Sequence, residues 1–145
     1  MLITVRDLLK SKGSEVLSVR PKATVYEALQ LMAERNVGAL LVFDSAKLVG
    51  IFSERDYARK LVLKGKFSKT TAVREVMTKE VITVTPDENI ERCMDIMTNS
   101  RVRHLPVVQR NKVVGVISIG DIVKTIISDQ KFTIGVLEHF ITGTY

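Results

Sequence analysis

The amino-acid sequence predicts an α+β fold made of two tandem β-α-β-β-α repeats. Three observations support this prediction: the chain resembles itself at a shift of 65 residues, β-rich runs alternate with helical apolar spacing in each copy, and 46% of the residues are hydrophobic. One copy of about 50 residues would bury too little surface to be stable alone. We therefore expect the two copies to pack sheet against sheet about a pseudo-twofold axis, which creates two equivalent clefts between them.

The internal repeat keeps residues of several types in register. Lys47–Ser53 aligns with Lys112–Ser118, and Asp56 aligns with Asp121, without a gap. Chance similarity rarely preserves glycine, serine and aspartate together at one fixed shift. The sequence therefore predicts a duplication, and each element is expected twice.

Each copy begins with an extended run that ends at a proline and leads into a helix. The extended runs are Leu17–Val19 and Ile82–Val84, and Thr24 and Asn89 are the predicted helix N-caps. The apolar residues at helical spacing are Val25, Ala28, Leu29 and Met32 in the first copy and Ile90, Cys93, Met94 and Met97 in the second.

A β-hairpin and a second helix complete each copy. The predicted elements are the runs Ala39–Phe43 and Lys47–Phe52 with the helix Glu54–Leu63, then the runs His104–Val108 and Lys112–Ile117 with the helix Ile119–Ser128. We expect the tetrapeptides Asp44–Lys47 and Gln109–Lys112 to turn the chain between the paired runs.

The repeats also set the predicted domain boundaries. They are residues 1–63 for the first repeat with an N-terminal helix, 64–72 for a linker, 73–130 for the second repeat and 131–145 for a C-terminal tail. The prefix Val5–Leu9 resembles Val73–Met77 after a small length change. The apolar residues of the tail lie near helical spacing, so we expect a helix that packs on its own module, with contact to a partner as the alternative.

Charge and composition narrow the classes of partner. The chain has 145 residues and a net charge of +6, but Lys and Arg are spread along it, aromatic residues make up 6% and tryptophan is absent. A nucleic-acid binder would gather basic residues beside stacking aromatics, so this pattern argues against nucleic acid. No apolar run reaches about 18 residues, which predicts no membrane span. A single cysteine, Cys93, fits a cytoplasmic protein.

The motif Gly-x-x-Ser-x-x-Asp occurs once in each copy, where a strand runs into a helix. Its members are Gly50, Ser53 and Asp56, then Gly115, Ser118 and Asp121. A helix N-terminus favours phosphate, and a carboxylate one turn inside can accept hydrogen bonds from ribose hydroxyls. The same spacing is typical of a capped helix start that binds nothing. The residues alone leave both interpretations open.

These features together resemble a tandem pair of cystathionine-β-synthase (CBS) domains, a Bateman module. The resemblance rests on the two β-α-β-β-α units, the two motifs and the segment Arg103–Val108, and it covers residues 5–128. In that family the clefts between repeats bind adenosine ligands such as AMP, ADP, ATP, NAD or S-adenosylmethionine. The resemblance implies that an adenine nucleotide is the regulatory ligand here. We expect no metal, because the sequence contains no metal-ligand spacing.

The family's binding residues carry over to two unequal sites. One site would use Ser118, Gly120 and Asp121 for ribose and phosphate and Arg103 and His104 for phosphate, with Val16, Leu17, Gly38 and Ala39 framing the adenine. The other would use Ser53, Arg55 and Asp56, with Val81, Ile82, Thr83 and Val102 around the base. Since Gly38-Ala39 replaces Arg103-His104 in the first copy, we expect different affinities.

The resemblance implies a non-catalytic sensor that changes conformation on binding and signals to a regulated partner protein. It also implies a homodimer formed through helices. A nucleotide-processing enzyme would need an acid–base constellation, which the sequence lacks. A dimerisation or partner-binding scaffold with degenerate sites is the main alternative, and a nucleic-acid binder is a weaker one.

Overall fold

The computed structural model of the chain describes residues 2–142. Its helices and strands are, in order, α1 (Val5–Lys12), β1 (Ser18–Val19), α2 (Val25–Arg35), β2 (Ala39–Asp44), β3 (Lys47–Ser53), α3 (54–64), α4 (Val73–Val76), α5 (Ile90–Ser100), β4 (His104–Gln109), β5 (Lys112–Ser118) and α6 (Ile119–Thr142). The helix α3 consists of an α-helical turn, a π-helical stretch over Tyr57–Leu61 and a 3₁₀ turn. This mixture of helices and strands confirms the predicted α+β class.

The described residues form two compact units that do not coincide with the two sequence repeats. Glu15–Thr83 make up one unit, called here the Asp56 unit. Residues 2–14 and 84–142 make up the other, called the Asp121 unit. The N-terminal helix, which the sequence analysis grouped with the first repeat, therefore lies in the unit of the second repeat.

The Asp56 unit contains a three-stranded sheet in the order β1-β2-β3. β1 is parallel to β2, and β2 pairs antiparallel with β3, so that Ala39 lies opposite Ser53. Thr24 caps α2 by accepting a hydrogen bond from the backbone N–H of Glu27 at 3.1 Å, as predicted. The buried core contains Val25, Ala28, Met32, Leu40, Val42, Phe52, Leu61, Val73 and Val76.

The Asp121 unit repeats this plan with a two-stranded sheet of β4 and β5. The predicted strand Ile82–Val84 is reduced to a single parallel bridge from Val84 to Val107. Asn89 caps α5 through the N–H of Arg92 at 2.7 Å, as predicted. The core contains Val5, Leu8, Val84, Ile90, Cys93, Met97, Leu105, Val107, Ile117 and Ile122, and most of these occupy positions equivalent to core positions of the other unit.

The short helices α1 and α4 precede the two repeats and hold equivalent places in the two units. The N–H of Val73 donates to the carbonyl of Ala23 at 2.8 Å, and the N–H of Val5 donates to the carbonyl of Glu88 at the same distance. The resemblance between the two prefixes is thus a resemblance of packing. Each prefix completes the core of the unit that contains it, because its apolar face is buried there.

Packing of these prefixes accounts for the glycine of each motif. A Cβ atom on Gly50 would lie 2.5 Å from Sδ of Met77, and one on Gly115 would lie 2.7 Å from Cδ2 of Leu9. Both distances are far below van der Waals contact. A side chain at either glycine would therefore force Met77 or Leu9 to move, where the α4 segment and α1 lie against the strands β3 and β5.

The C-terminal helix α6 is longer than the sequence predicted. The chain contains no glycine or proline between Gly120 and Gly135 to end the helix at Ser128, so α6 continues through Thr142. Residues 143–145 of the predicted tail lie outside the described residues. The expectation that the tail packs on its own module is wrong for the described part, since Phe132, Phe140 and Ile141 are 72%, 72% and 83% exposed.

Candidate functional site

Both Ser-x-x-Asp motifs form a capping box at the start of a helix. In the Asp121 unit, the N–H of Asp121 donates to Oγ of Ser118 at 3.1 Å, and the N–H of Ser118 donates to Oδ2 of Asp121 at 2.8 Å. Ser53 and Asp56 exchange the equivalent bonds at 3.3 and 3.0 Å. Helix capping is therefore real at both positions, and any ligand role depends on which polar groups remain unused.

The carboxylate of Asp56 is fully engaged within its own unit. Its Oδ2 accepts from the N–H and the Oγ–H of Ser53, at 3.0 and 3.1 Å. Its Oδ1 accepts from Oγ1 of Thr78 and lies in an ion pair with Nζ of Lys60, both at 3.0 Å. The side chain of Asp56 is only 8% exposed. Four donors occupy the four lone-pair positions that a carboxylate offers.

The carboxylate of Asp121 is more open. Its Oδ2 accepts from the N–H of Ser118 at 2.8 Å and from Nζ of Lys12 at 2.5 Å, and the side chain is 23% exposed. Among the described residues, no donor lies on Oδ1. Burial acts to raise the pKa of Asp121, but the hydrogen bonds from Lys12 and Ser118 outweigh it and hold the pKa below the usual value. Asp121 is therefore an ionised acceptor at neutral pH, with one oxygen available.

Lys12 in the Asp121 unit does the work that Thr78 does in the Asp56 unit. The backbone of Thr78 exchanges hydrogen bonds with Ile51 at 2.8 and 3.0 Å, while its hydroxyl reaches Asp56. In the Asp121 unit, Nζ of Lys12 donates to the carbonyl of Val116, the equivalent of Ile51, at 2.6 Å. One ammonium group thus replaces a backbone amide and a hydroxyl, and it adds a positive charge beside the carboxylate.

The backbone N–H groups at the start of α6 are only partly used. The N–H of Ile119 donates to the carbonyl of Arg103 at 2.9 Å, and the N–H of Asp121 is capped by Ser118. The N–H of Gly120 has no acceptor among the described residues. A Cβ on Gly120 would meet only Oγ of Ser118, at 3.6 Å, so packing within the unit does not require a glycine there. An open N–H at the start of a helix suits an anion.

Arg103 and His104 lie next to this helix start. His104 faces Ser118 across the pairing of β4 with β5, and the side chain of Arg103 is exposed. Burial, reinforced by the positive charges of Lys12 and Arg103, lowers the pKa of His104 to about 4, and the carboxylate of Asp121 opposes this shift only in part. His104 is therefore neutral at pH 7 and can offer a phosphate a hydrogen bond but no charge.

The other predicted binding residues divide between the units. Gly38 and Ala39 lie beside Ser53, because the N–H of Glu54 donates to the Gly38 carbonyl at 3.1 Å and Ala39 pairs with Ser53. The roles of these residues and of the following ones stay predictions. In the Asp56 unit, Val16 and Leu17 precede β1, and Arg55 lies in the first turn of α3. This unit ends with Val81, Ile82 and Thr83. In the Asp121 unit, Val102 precedes β4.

Three polar residues that contact the two aspartates were not predicted from the sequence: Lys12, Lys60 and Thr78. Lys60 could have been found, since it follows Asp56 by four residues and the two side chains share a helix face. Lys12 could not, because it is separated from Asp121 by 109 residues and reaches it only through the docking of α1.

The remaining candidates behave as packing residues or surface residues. Cys93 is buried, as predicted, and burial raises the pKa of its thiol to about 11.

Within residues 2–142, no cluster of three or more His, Cys, Asp or Glu side chains could hold a metal ion. None of the described helices is long and apolar enough to cross a bilayer.

Comparison with known proteins places this geometry in a family. The CBS domain model matches residues 5–63 and 73–128, which is most of the chain. The mitochondrial CBS domain-containing protein CBSX3 of Arabidopsis thaliana is 39% identical, over 98% of this chain and 73% of its own length.

Solved structures agree with this assignment. A structure of a protein with CBS domains from Burkholderia ambifaria is 47% identical and has a TM-score of 0.86, covering 88% of this chain and 96% of its own. The CBS domain pair of protein MJ0100, solved in complex with 5′-methylthioadenosine and S-adenosyl-L-methionine, is 26% identical with a TM-score of 0.77, covering 89% and 99%. With two matched domains and the same fold, this chain belongs to the CBS domain family as a tandem CBS domain pair.

Proposed function

We propose that this protein is a regulatory sensor that binds an adenosine nucleotide at the Asp121 motif. One observation carries the proposal: several polar groups that suit a nucleotide are unused there. They are Oδ1 of Asp121, the N–H of Gly120 and one N–H of Lys12. A free carboxylate oxygen can accept from ribose hydroxyls, and the donors at the helix start can bind phosphate.

The Asp56 motif supports much weaker binding or none. A ribose hydroxyl could reach the Asp56 carboxylate only after displacing Thr78 or Lys60, and the side chain is nearly buried. Breaking a charge-assisted hydrogen bond costs about 1.5–3 kcal/mol. We therefore propose unequal sites, with the Asp121 motif as the one that is occupied first.

The choice of an adenosine ligand is supported by similarity. The CBS domain pair of MJ0100 was solved with two adenosine-containing compounds, and this chain shares its fold at 26% identity. The unused donors at the Asp121 motif favour a phosphorylated ligand, of the class AMP, ADP, ATP or NAD, over a neutral nucleoside. No metal is part of the proposal.

Binding without turnover is the chemistry that this site supports. The lowered pKa of Asp121 makes its carboxylate an acceptor rather than a general acid, and His104 is held neutral by burial and by its positive neighbours. Signalling would then follow from a shift between two conformations that bind the ligand with different affinity. The regulated partner and the predicted cytoplasmic location stay predictions, and the Arabidopsis relative is named as mitochondrial.

Thermal unfolding in the presence of candidate ligands tests the proposal. AMP, ADP, ATP, NAD and S-adenosylmethionine would each be added at a range of concentrations, with GMP and CMP as controls for the base. A ligand at about 100 times its dissociation constant stabilises the folded state by about 2.7 kcal/mol. A rise in melting temperature with adenosine compounds alone supports the sensor. No rise with any compound, or turnover of the added nucleotide, contradicts it.

The exposed C-terminal half of α6 supports a second function, the association of this chain with another copy. From Lys131 onward its apolar residues lie on about half of the helix circumference, and Lys131 and Glu138 lie on the other half. The apolar set is Phe132, Ile134, Val136, Leu137, Phe140 and Ile141, all exposed. An exposed, largely apolar face of this kind marks an association surface. We propose that it pairs with the same face of a second copy, in a homodimer.

Light scattering after gel filtration tests the homodimer. The wild type should have twice the chain mass, and the double substitution Phe132→Glu with Phe140→Glu should yield monomers, because each buried glutamate would be desolvated at the interface. Lys131→Glu, on the polar side of the same helix, is the matched control and should remain dimeric. A monomeric wild type would contradict the dimer and leave this face to a different partner.

A further inference from the structure

We infer that Lys12 makes the Asp121 site selective for anionic adenosine ligands over neutral and cationic ones. The inference rests on the proposed function, which it deepens by naming the class of ligand and the residue that selects it. Lys12 belongs to neither Gly-x-x-Ser-x-x-Asp motif and reaches the site only because α1 packs in the Asp121 unit.

The geometry of the Lys12 ammonium group leaves one donor for a ligand. A lysine ammonium has three N–H donors. Two of them are used, by the carbonyl of Val116 at 2.6 Å and by Oδ2 of Asp121 at 2.5 Å. The side chain of Lys12 is 37% exposed, and no acceptor for a third N–H lies among the described residues. Because these two bonds fix the nitrogen, the third N–H is already positioned before a ligand arrives.

The charges around the site give Lys12 a decisive role. Without Lys12, the carboxylate of Asp121 would repel a phosphate held at the start of α6. The exposed side chain of Arg103 would then be the neighbouring positive charge that offsets this repulsion. His104 supplies no charge at neutral pH. With Lys12 in place, Asp121 is neutralised on Oδ2 while its Oδ1 stays open for hydroxyl groups. The pair can therefore bind a ribose and tolerate a phosphate beside it.

The corresponding position in the Asp56 unit lacks this property. There, a threonine hydroxyl and Lys60 lie on the same oxygen of Asp56, and no oxygen of that carboxylate is left for a hydroxyl of a ligand. The same structural task, satisfying the carbonyl of Ile51 or Val116, is done by a neutral backbone amide in one unit and by an ammonium group in the other. A purely structural role would not need the charge.

Three ligands that share adenosine and differ in charge test the inference. Calorimetric titrations would compare AMP, which is anionic, with 5′-methylthioadenosine, which is neutral, and S-adenosylmethionine, whose sulfonium is cationic. The proteins would be the wild type, Lys12→Met, Lys12→Arg and, as a matched control, Lys10→Met on the same helix. Lys10 is exposed and takes no part in the site.

We expect the wild type to bind AMP more tightly than the neutral compound. Lys12→Met should weaken AMP about tenfold or more and change the affinity for 5′-methylthioadenosine by less than about threefold, because a charge-assisted bond is lost only with the anion. S-adenosylmethionine should bind Lys12→Met as well as the wild type or better. Lys12→Arg should retain most of the preference for AMP, and Lys10→Met should behave as the wild type.

The outcomes separate this inference from the function on which it rests. If Lys12→Met weakens AMP and 5′-methylthioadenosine equally, Lys12 only supports the fold and the inference is overturned. A wild type without preference for AMP overturns it as well. If the wild type binds none of the three compounds, the proposed function fails and the inference falls with it. Retained binding of the neutral compound by Lys12→Met shows that the variant is folded.

Discussion

Burial of a neutral histidine beside two cations should make the stability of this protein depend on pH below neutrality. His104 is half-buried, and its pKa is lowered from 6.5 to about 4, first by burial and then by the charges of Lys12 and Arg103. The unfolded chain therefore binds a proton at His104 near pH 6.5, whereas the folded chain does so only near pH 4. The stabilisation is complete above pH 6.5 and is lost as the pH falls from there toward 4.

The size of the effect follows from the two pKa values. Between pH 7.5 and pH 4.5, the shift of His104 alone lowers the free energy of unfolding by about 2–3 kcal/mol. The contribution of His104 is isolated as a difference between the wild type and a variant at this position. His104→Gln keeps a neutral polar side chain at the position and removes the titration.

Urea unfolding of the wild type and His104→Gln at pH 7.5 and 4.5 measures this difference. We expect the wild type to lose about 2–3 kcal/mol more than the variant over this interval. An NMR titration of the imidazole protons, assigned with the help of His139→Gln, should place the pKa of His104 well below 6. Equal losses in the two proteins, or a His104 pKa near 6.5, would refute the account of its surroundings.

Three other consequences of the structure can be checked separately. Gly115→Ala should destabilise the protein by about 1–3 kcal/mol through the clash with Leu9. In urea unfolding, the double variant with Leu9→Ala should lose less stability than the sum of the losses of the two single variants. Additive losses would show that the two side chains do not meet. Gly120→Ala should raise the free energy of unfolding by about 0.4–1 kcal/mol, since the position has room for a methyl group and lies in a helix. The same change should weaken nucleotide binding, because the added methyl group covers the open N–H. Unchanged affinity in calorimetry would mean that no ligand approaches there. Cys93 should resist a thiol reagent at pH 8 in the folded protein and react once urea unfolds it, and rapid labelling of the folded protein would contradict its burial.

The sequence contained enough information for the fold, because the duplicated signals are local. Thr24 and Asn89 cap their helices where the residue types indicated, and the hairpins form between the predicted runs. Periodicity also identified the apolar faces that are buried, with Ala28 and Cys93 as equivalent core residues. These features depend on residues close together in the chain, so one sequence suffices to recognise them.

What escaped prediction depends on contacts between distant parts of the chain. The motif glycines could be read as part of a strand-to-helix connection, but their need to admit Leu9 and Met77 follows from the packing of the prefixes. Likewise, the sequence pattern treats Asp56 and Asp121 alike. The two carboxylates differ because Thr78 contacts Asp56, whereas Lys12 contacts Asp121. As a result, both oxygens of Asp56 are occupied and one oxygen of Asp121 stays available.

The length of α6 shows a limit of a different kind. Periodicity placed a helix over Ile119–Ser128 and a second apolar segment beyond residue 131, and both lie on one helix. Because helix ends are set by caps and breakers, a stretch without glycine or proline between Gly120 and Gly135 gave no signal for a stop at Ser128. Periodicity alone also does not reveal that Phe132, Phe140 and Ile141 in the last three turns are exposed.

The central claim, that one open aspartate site binds an adenosine nucleotide, is tested most directly by calorimetric titration of AMP into three proteins. They are the wild type, Asp121→Asn and Asp56→Asn, each checked for folding by its melting temperature. We predict one high-affinity site per chain in the wild type, a loss of about tenfold or more in affinity for Asp121→Asn, and an affinity within about threefold of the wild type for Asp56→Asn. Two equal sites, or an Asp121→Asn variant that binds AMP as tightly as the wild type, would contradict the claim.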